Sequence, residues 1–304
     1  MAVDFGWPDL TWLARDVDRQ LAARRRARRA ARAWAAVSML LLAAAAVMAA
    51  WPYAQRMAGD RLMESQAVRA ASRAAAFPYA SKSSMVREAV AYNEALAASG
   101  QPTLGVSSDP FTGETDGDWD GSDDEAYTDA LDVDGVGTMG RVRIPMIGVD
   151  LRIGHGSGQD TLAAGAGHLH GTSLPVGGDS THTVITAHTD WAKATMFDRL
   201  TELREGDAFY LEVMGRTLAY RVTDVRVVDP RESEAGGFDM LKVRKGEDLA
   251  TLLTCTGSGL TRRLLVTGER NRMPDQVPYP QDGPQDGRRP LVAAAMAGRW
   301  RAPG

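Results

Sequence analysis

The sequence predicts a mainly β domain mounted behind helices and one membrane-spanning helix. Three observations carry that expectation. After Gly140 the chain breaks into short alternating or β-branched runs punctuated by Gly, Pro and Asp. From Ala33 to Gln55 there are 23 residues without a charge. Between these two regions, residues 57 to 100 are rich in Ala, Arg and Glu, which favour helix.

The uncharged segment has the length of a bilayer. At 1.5 Å per residue it makes roughly 33 Å of helix, against a hydrocarbon core of about 30 Å. Trp34, Trp51 and Tyr53 stand near its two ends, where amphipathic rings favour the headgroup level. Eight Arg lie between Arg15 and Arg32, so residues 1–32 form a basic leader that stays in the cytoplasm. Everything after Arg56 is then outside the cell, a single-pass topology at the cell membrane. A cleaved signal peptide would export the same body, but the apolar run and the leader are both longer than such a peptide usually has. The Arg run lacks the interleaved aromatics of a base-stacking surface, so no nucleic acid partner is expected.

Residues 56–100 read as a helical stalk of two helices separated at Pro78, which fits poorly inside a helix. In the second, Met85, Ala89, Tyr92 and Leu96 form one apolar stripe expected to pack on the domain that follows. Residues 101–139 hold eleven acidic residues and no basic one between Asp109 and Asp134, with Gly113, Gly117 and Gly121 interspersed. Such a stretch repels itself and buries little, so mobility is expected.

Residues 140–271 carry the β pattern, with strand-like runs at 142–147, 149–153, 183–187, 208–213, 217–228, 249–254 and 263–267. Their punctuation indicates an antiparallel sandwich or barrel, and about 130 residues suffice for one core. A short helix is expected over 195–203, where Met196, Leu200 and Leu203 share a face. Residues 272–304 form a Pro- and Gly-rich tail, in which the apolar 291–298 is too short to span a bilayer.

Some motif matches lack their structural context. Gly135 to Gly140 satisfies G-x-G-x-x-G but opens into a strand, whereas a dinucleotide site needs a helix there. Gly154 to Gly158 resembles a nucleophile elbow but has His155 where Gly is needed. His168 and His170 could offer two metal ligands, yet no nearby carboxylate or thiol completes a set, so no metal and no cofactor is expected.

Cys255, the single cysteine, is placed differently. It ends an apolar strand just before the turn Thr256-Gly257-Ser258-Gly259, and His188 ends another apolar strand in the same way. Arg263 opens the strand that follows Cys255. Strand ends facing loops are where chemistry is mounted. The three types suit acyl transfer: a thiolate attacks an amide carbonyl, an imidazolium protonates the departing amine, and a fixed cation stabilises the oxyanion. Arg suits the last role because it stays charged and donates two bonds at once.

The segments Leu252-Leu253-Thr254-Cys255-Thr256, Arg263-Leu264-Leu265-Val266 and Thr183 to His188 resemble the signatures of the sortases, bacterial membrane-anchored cysteine transpeptidases. Further blocks at Arg143 to Val149, Gly167 to Leu169, Gly171 to Gly178 and Thr217 to Tyr220 extend the resemblance over about residues 85 to 270. More particularly the chain is similar to class C, pilin-polymerising sortases, in which the block at Tyr92 is followed by a lid of the form Asp-Pro-aromatic, here Asp109-Pro110-Phe111.

The resemblance implies an eight-stranded sortase-type β-barrel with catalytic Cys255, His188 and Arg263. It implies cleavage of an LPxTG-like sorting signal on a pilin or surface protein through a thioacyl intermediate, and transfer to a pilin lysine amine. It also implies that Asp109 approaches the catalytic Arg and Phe111 covers the Cys. Two departures stand out. Arg262 lies beside Arg263, although only Arg263 directly precedes Leu-Leu-Val, and Thr189-Asp190 follows His188 where the family has Arg-Gly. The alternative readings are a sortase that attaches proteins to cell-wall peptidoglycan and a non-enzymatic extracellular binding module whose Cys255 is merely core.

Overall fold

The computed structural model describes residues 11–101, 123–229, 239–257, 259 and 261–271. The lid tripeptide Asp109-Pro110-Phe111, most of the acidic stretch and the tail from 272 onwards lie outside these residues. The backbone forms α1 (Thr11–Ala76), which holds the 23-residue uncharged segment with Pro52 inside it. Among the described residues it is one helix long and apolar enough to cross a membrane. After a break at Phe77 and Pro78 comes α2 (Tyr79–Ser99), which ends on Gly100 in the left-handed conformation at φ 74°. A single turn, α3 (Glu125–Thr128), is capped by the Asp124 side chain.

Eight strands close into a barrel: β1 (Thr138–Ile144), β2 (Val149–His155), β3 (Ala166–His168), β4 (Thr181–Thr186), β5 (Ala208–Val213), β6 (Arg216–Val228), β7 (Asp248–Thr256) and β8 (Arg262–Arg270), with α4 (Gln159–Ala164) between β2 and β3. Around the barrel the order is β1-β2-β3-β4-β7-β8-β6-β5. The expectation of an antiparallel sheet is corrected at two joints, since β2 pairs with β3 and β4 with β7 in parallel. Alternation along a strand reports which face is buried and says nothing of direction, so these pairs left no mark in the pattern.

The helix expected over 195–203 is absent; only a 3-10 turn, Leu200–Glu202, forms there. Met196, Leu200 and Leu203 are nonetheless buried. Two backbone donors at the start of this stretch are satisfied from outside it: Thr195 N–H by the Asp60 carboxylate and Phe197 N–H by the His188 carbonyl.

Alternation sets two cores. Ile185, Ala187, Ala250, Leu252, Leu264 and Val266 point into the barrel with the main cluster, whereas Val184, Leu253 and Leu265 pack with Leu169 and Leu241 on the outer face. The stripe on α2 meets the main cluster through buried Ala89 and partly buried Met85 and Tyr92. Asn93 fixes α2 by a reciprocal pair, donating to the Leu174 carbonyl at 3.0 Å and accepting from Leu174 N–H at 2.7 Å.

The residues behind the rejected motifs serve this framework. His168 is fully buried, and burial pushes its pKa down to about 3, so the ring is neutral. Its Nε2 lies 2.9 Å from the Ser173 carbonyl oxygen and its Nδ1 3.0 Å from the Tyr127 hydroxyl. Tyr127 Oη also accepts from Gly156 N–H at 2.8 Å. Replacing Tyr127 by Phe leaves buried Gly156 N–H and His168 short of partners, so a loss of about 1–3 kcal/mol is expected, read as a lower urea midpoint. His170 pairs with Asp124 at 3.2 Å, and His155 contacts the Ala130 and Gly137 carbonyls at 2.8 and 2.9 Å.

Candidate active site

Three adjacent strands position the candidate residues. In the antiparallel β7–β8 ladder Cys255 stands directly opposite Arg263, while Arg262 pairs one step further on with Thr256. Directly opposed residues have Cα atoms about 4.5–5.5 Å apart and side chains on the same face of the sheet. The parallel β4–β7 register runs up to Thr186 opposite Leu253. It continues past the end of β4, where Ala187 N–H donates to the Leu253 carbonyl at 3.3 Å and the Thr254 hydroxyl donates to the Ala187 carbonyl at 2.7 Å. Two residues beyond Thr186 is His188 and two beyond Leu253 is Cys255. Extended by these two bonds, the register brings His188, just past the end of β4, into line with Cys255 on β7 and Arg263 on β8.

The period of two decides which face this row occupies. Leu253 and Leu265, two residues before Cys255 and two after Arg263, belong to the outer cluster. The row therefore lies on the outside of the barrel, on the rim of that small apolar cluster and separated by the sheet from the main core. Cys255 is 7% exposed and Arg263 1% exposed, whereas Arg262 is exposed to solvent. His188 is half-buried.

Burial governs the electrostatics. It pushes the Cys255 thiol up to about 12, lowers His188 from its ordinary 6.5, and brings Arg263 down to about 10. Arg263 is thus still a cation at neutral pH. The thiol and imidazole are mostly a neutral pair in this state, a question that the residue types alone left open. A thiol at 12 is a poor nucleophile until something stabilises the thiolate.

His188 has a neighbour that the sequence offered no reason to single out. The Trp191 indole stacks on its imidazole with centroids 4.8 Å apart and ring planes 6° from parallel, and the Lys193 ammonium sits 5.9 Å from the indole centroid. Asp190 makes the turn between the two rings at φ 57°, a conformation Asp tolerates better than most residues. The departure from the family at Thr189-Asp190 lies just before it and does not include it.

Comparison with known proteins agrees with this architecture. The Sortase domain profile matches residues 142–271. Sortase C of Streptococcus pneumoniae is 35% identical, with 71% of this chain and 97% of that chain covered at a TM-score of 0.57. Sortase C-1 of Actinomyces oris is 42% identical over 63% of this chain and 99% of that one, at a TM-score of 0.54. The pilus-related sortase C of Group B Streptococcus is 38% identical over 69% and 95%, at 0.56. No curated protein matches the chain in sequence. The chain belongs to the sortase family, the cysteine transpeptidases. Within that family it is a sortase of class C.

Proposed function

We propose that this sortase polymerises pilins outside the cell, with Cys255 as nucleophile, His188 as the proton-transfer group and Arg263 as the oxyanion partner. The single observation that carries the reading is that Cys255 on β7 stands opposite Arg263 on β8, with His188 two residues past the end of the neighbouring β4. In the first half-reaction, the Cys255 thiol proton passes to His188 and the sulfur attacks the Thr carbonyl carbon of an LPxTG-like sorting signal. The carbonyl oxygen gains negative charge and is stabilised by the Arg263 guanidinium. As the Thr–Gly C–N bond breaks, His188 gives its proton to the departing Gly amine and leaves a thioester on Cys255. In the second, a neutral lysine amine of another pilin attacks that thioester, and an isopeptide bond forms as the thiol is regenerated.

Support for a pilin substrate comes from the relatives: the Streptococcus pneumoniae structure is described in terms of pilin substrate specificity and the Group B Streptococcus one as pilus-related. The apolar part of α1 is the membrane anchor in this reading, with the leader in the cytoplasm and the barrel outside, held near the secreted substrate. Incubating the full-length enzyme with a pilin bearing an LPxTG-like terminus is expected to give a ladder of covalent multimers. Transfer to a peptidoglycan stem amine with no ladder would instead assign it to wall attachment.

Asp109, Pro110 and Phe111 act in this reading as a lid, Asp109 approaching Arg263 and Phe111 covering Cys255. The double change Asp109→Ala with Phe111→Ala is expected to speed alkylation of Cys255 by iodoacetamide several-fold. Unchanged labelling would remove the lid from the scheme.

A further inference from the structure

The loop that follows His188 is held by the part of α1 just beyond the uncharged segment. Arg56, Gly59 and Asp60 are spaced i, i+3 and i+4 and so share one helix face. Each meets the loop differently. Arg56 pairs with Asp190 at 3.4 Å and with Asp198 at 3.9 Å. Asp190 N–H in turn donates to the Asp198 carboxylate at 2.7 Å. Asp60 accepts from Thr195 N–H at 2.5 Å. Gly59 lies so close that a Cβ built on it would run into the Lys193 carbonyl oxygen, a backbone atom that cannot swing aside, and would also crowd the Ala194 Cβ at 3.3 Å. Ala194 itself is fully buried.

These contacts bracket Trp191, whose indole lies flat on His188. The loop is also pinned at its far side by the Phe197 N–H to His188 carbonyl bond at 3.0 Å. An imidazole that must take a proton from sulfur and deliver it to an amine needs a fixed ring plane, and the stacked indole supplies one. A misplacement of about 1 Å can cost roughly a hundredfold in rate.

We infer that Arg56, Gly59 and Asp60 are positioning residues: they lock the 189–195 loop against the stalk helix and, through the Trp191 stack, set the orientation of the His188 ring. The inference rests on His188 being the proton-transfer group proposed above. It adds a role for the stalk, which becomes part of the catalytic apparatus as well as a tether. Gly59 is required for the close approach, and Asp60 is required as an acceptor more than as a charge.

The test uses the full-length enzyme in phosphatidylglycerol nanodiscs, with an LPxTG-type sorting peptide, following thioester formation across pH. Gly59→Ala and Asp60→Ala are each expected to lower kcat about tenfold with KM within about twofold, the split that a misoriented His188 ring gives. The acid limb of the pH profile should move up towards the ordinary histidine value as the ring loses cover. Asp60→Asn, which keeps an acceptor for Thr195 N–H, should restore most of the rate, and Arg69→Ala, bonded within its own helix to Ser65 among the described residues, should match the parent. Trp191→Ala should reproduce the Gly59→Ala profile.

Parent-like kcat and a superimposable pH profile in Asp60→Ala would overturn the inference, and that variant decides the matter if Gly59→Ala fails to fold. His188→Ala is run alongside. If it stays active, the assignment of His188 itself fails. If it is inactive while the stalk variants behave as the parent, only the positioning role is lost.

Discussion

Arg263→Ala is expected to slow thioester formation on Cys255 by about 10²–10³-fold, whereas Arg262→Ala leaves the rate within about twofold. The contrast follows from the β7–β8 register. Arg263 is opposite Cys255 and almost fully buried, while Arg262 is opposite Thr256 and exposed. A cation in a dry site stabilises a developing oxyanion far more than one in water, because the effective dielectric is lower. Burial brings the Arg263 pKa down to about 10, so it remains charged at the pH of the assay. Arg263→Lys is expected to recover little, since an ammonium offers a point charge in place of a planar fork. Quench-flow mass spectrometry of the three variants checks this, with circular dichroism to establish that each is folded. A larger loss in Arg262→Ala than in Arg263→Ala would reverse the assignment.

His188→Ala is expected to reduce turnover by about 10²–10⁴-fold, the span usual for a lost general acid–base group. The pH profile of the parent carries more information than the loss itself. With His188 below its ordinary 6.5 and Cys255 near 12, the reactive thiolate–imidazolium pair is a small, constant fraction of the neutral pair between the two values. Below the His188 value the imidazolium faces an intact thiol, and activity falls as pH drops. The profile should therefore show an acid limb below pH 6.5 and a plateau through pH 9. Alkylation of Cys255 in the empty enzyme should instead keep rising through pH 8–10, because the free thiolate grows about tenfold per pH unit there. A labelling plateau near neutral pH would mean that the ion pair is already formed in the resting enzyme.

The barrel was legible because its strands are short, β-branched and separated by turn residues, and the candidate residues Cys255, His188 and Arg263 stood out because each falls near a strand end within a family block. What the residues could not disclose is how strands at long separation combine. β4 and β7 lie side by side in parallel although the whole of β5 and β6 intervenes, and that pairing is what brings His188 to Cys255. The helix expected over 195–203 shows the other limit. Its apolar positions, read as one helix face, are buried without a helix, and Asp60, 135 residues earlier in the chain, takes the N–H of Thr195. A partner so distant leaves no periodic trace near the loop. Thr189-Asp190 was visible as a departure from the family and carried no hint that Trp191, next along, covers the His188 ring.

The central claim is that one sulfur takes the acyl group, and the chain's single cysteine makes it directly testable. Full-length enzyme mixed with an LPxTG-type peptide, quenched in acid and analysed by intact and peptide mass spectrometry, should carry the peptide's N-terminal half on Cys255. The adduct should be released by neutral hydroxylamine and be absent in Cys255→Ala. Peptide cleavage that persists in Cys255→Ala, or turnover in the parent with the acyl group on any other residue, would contradict it.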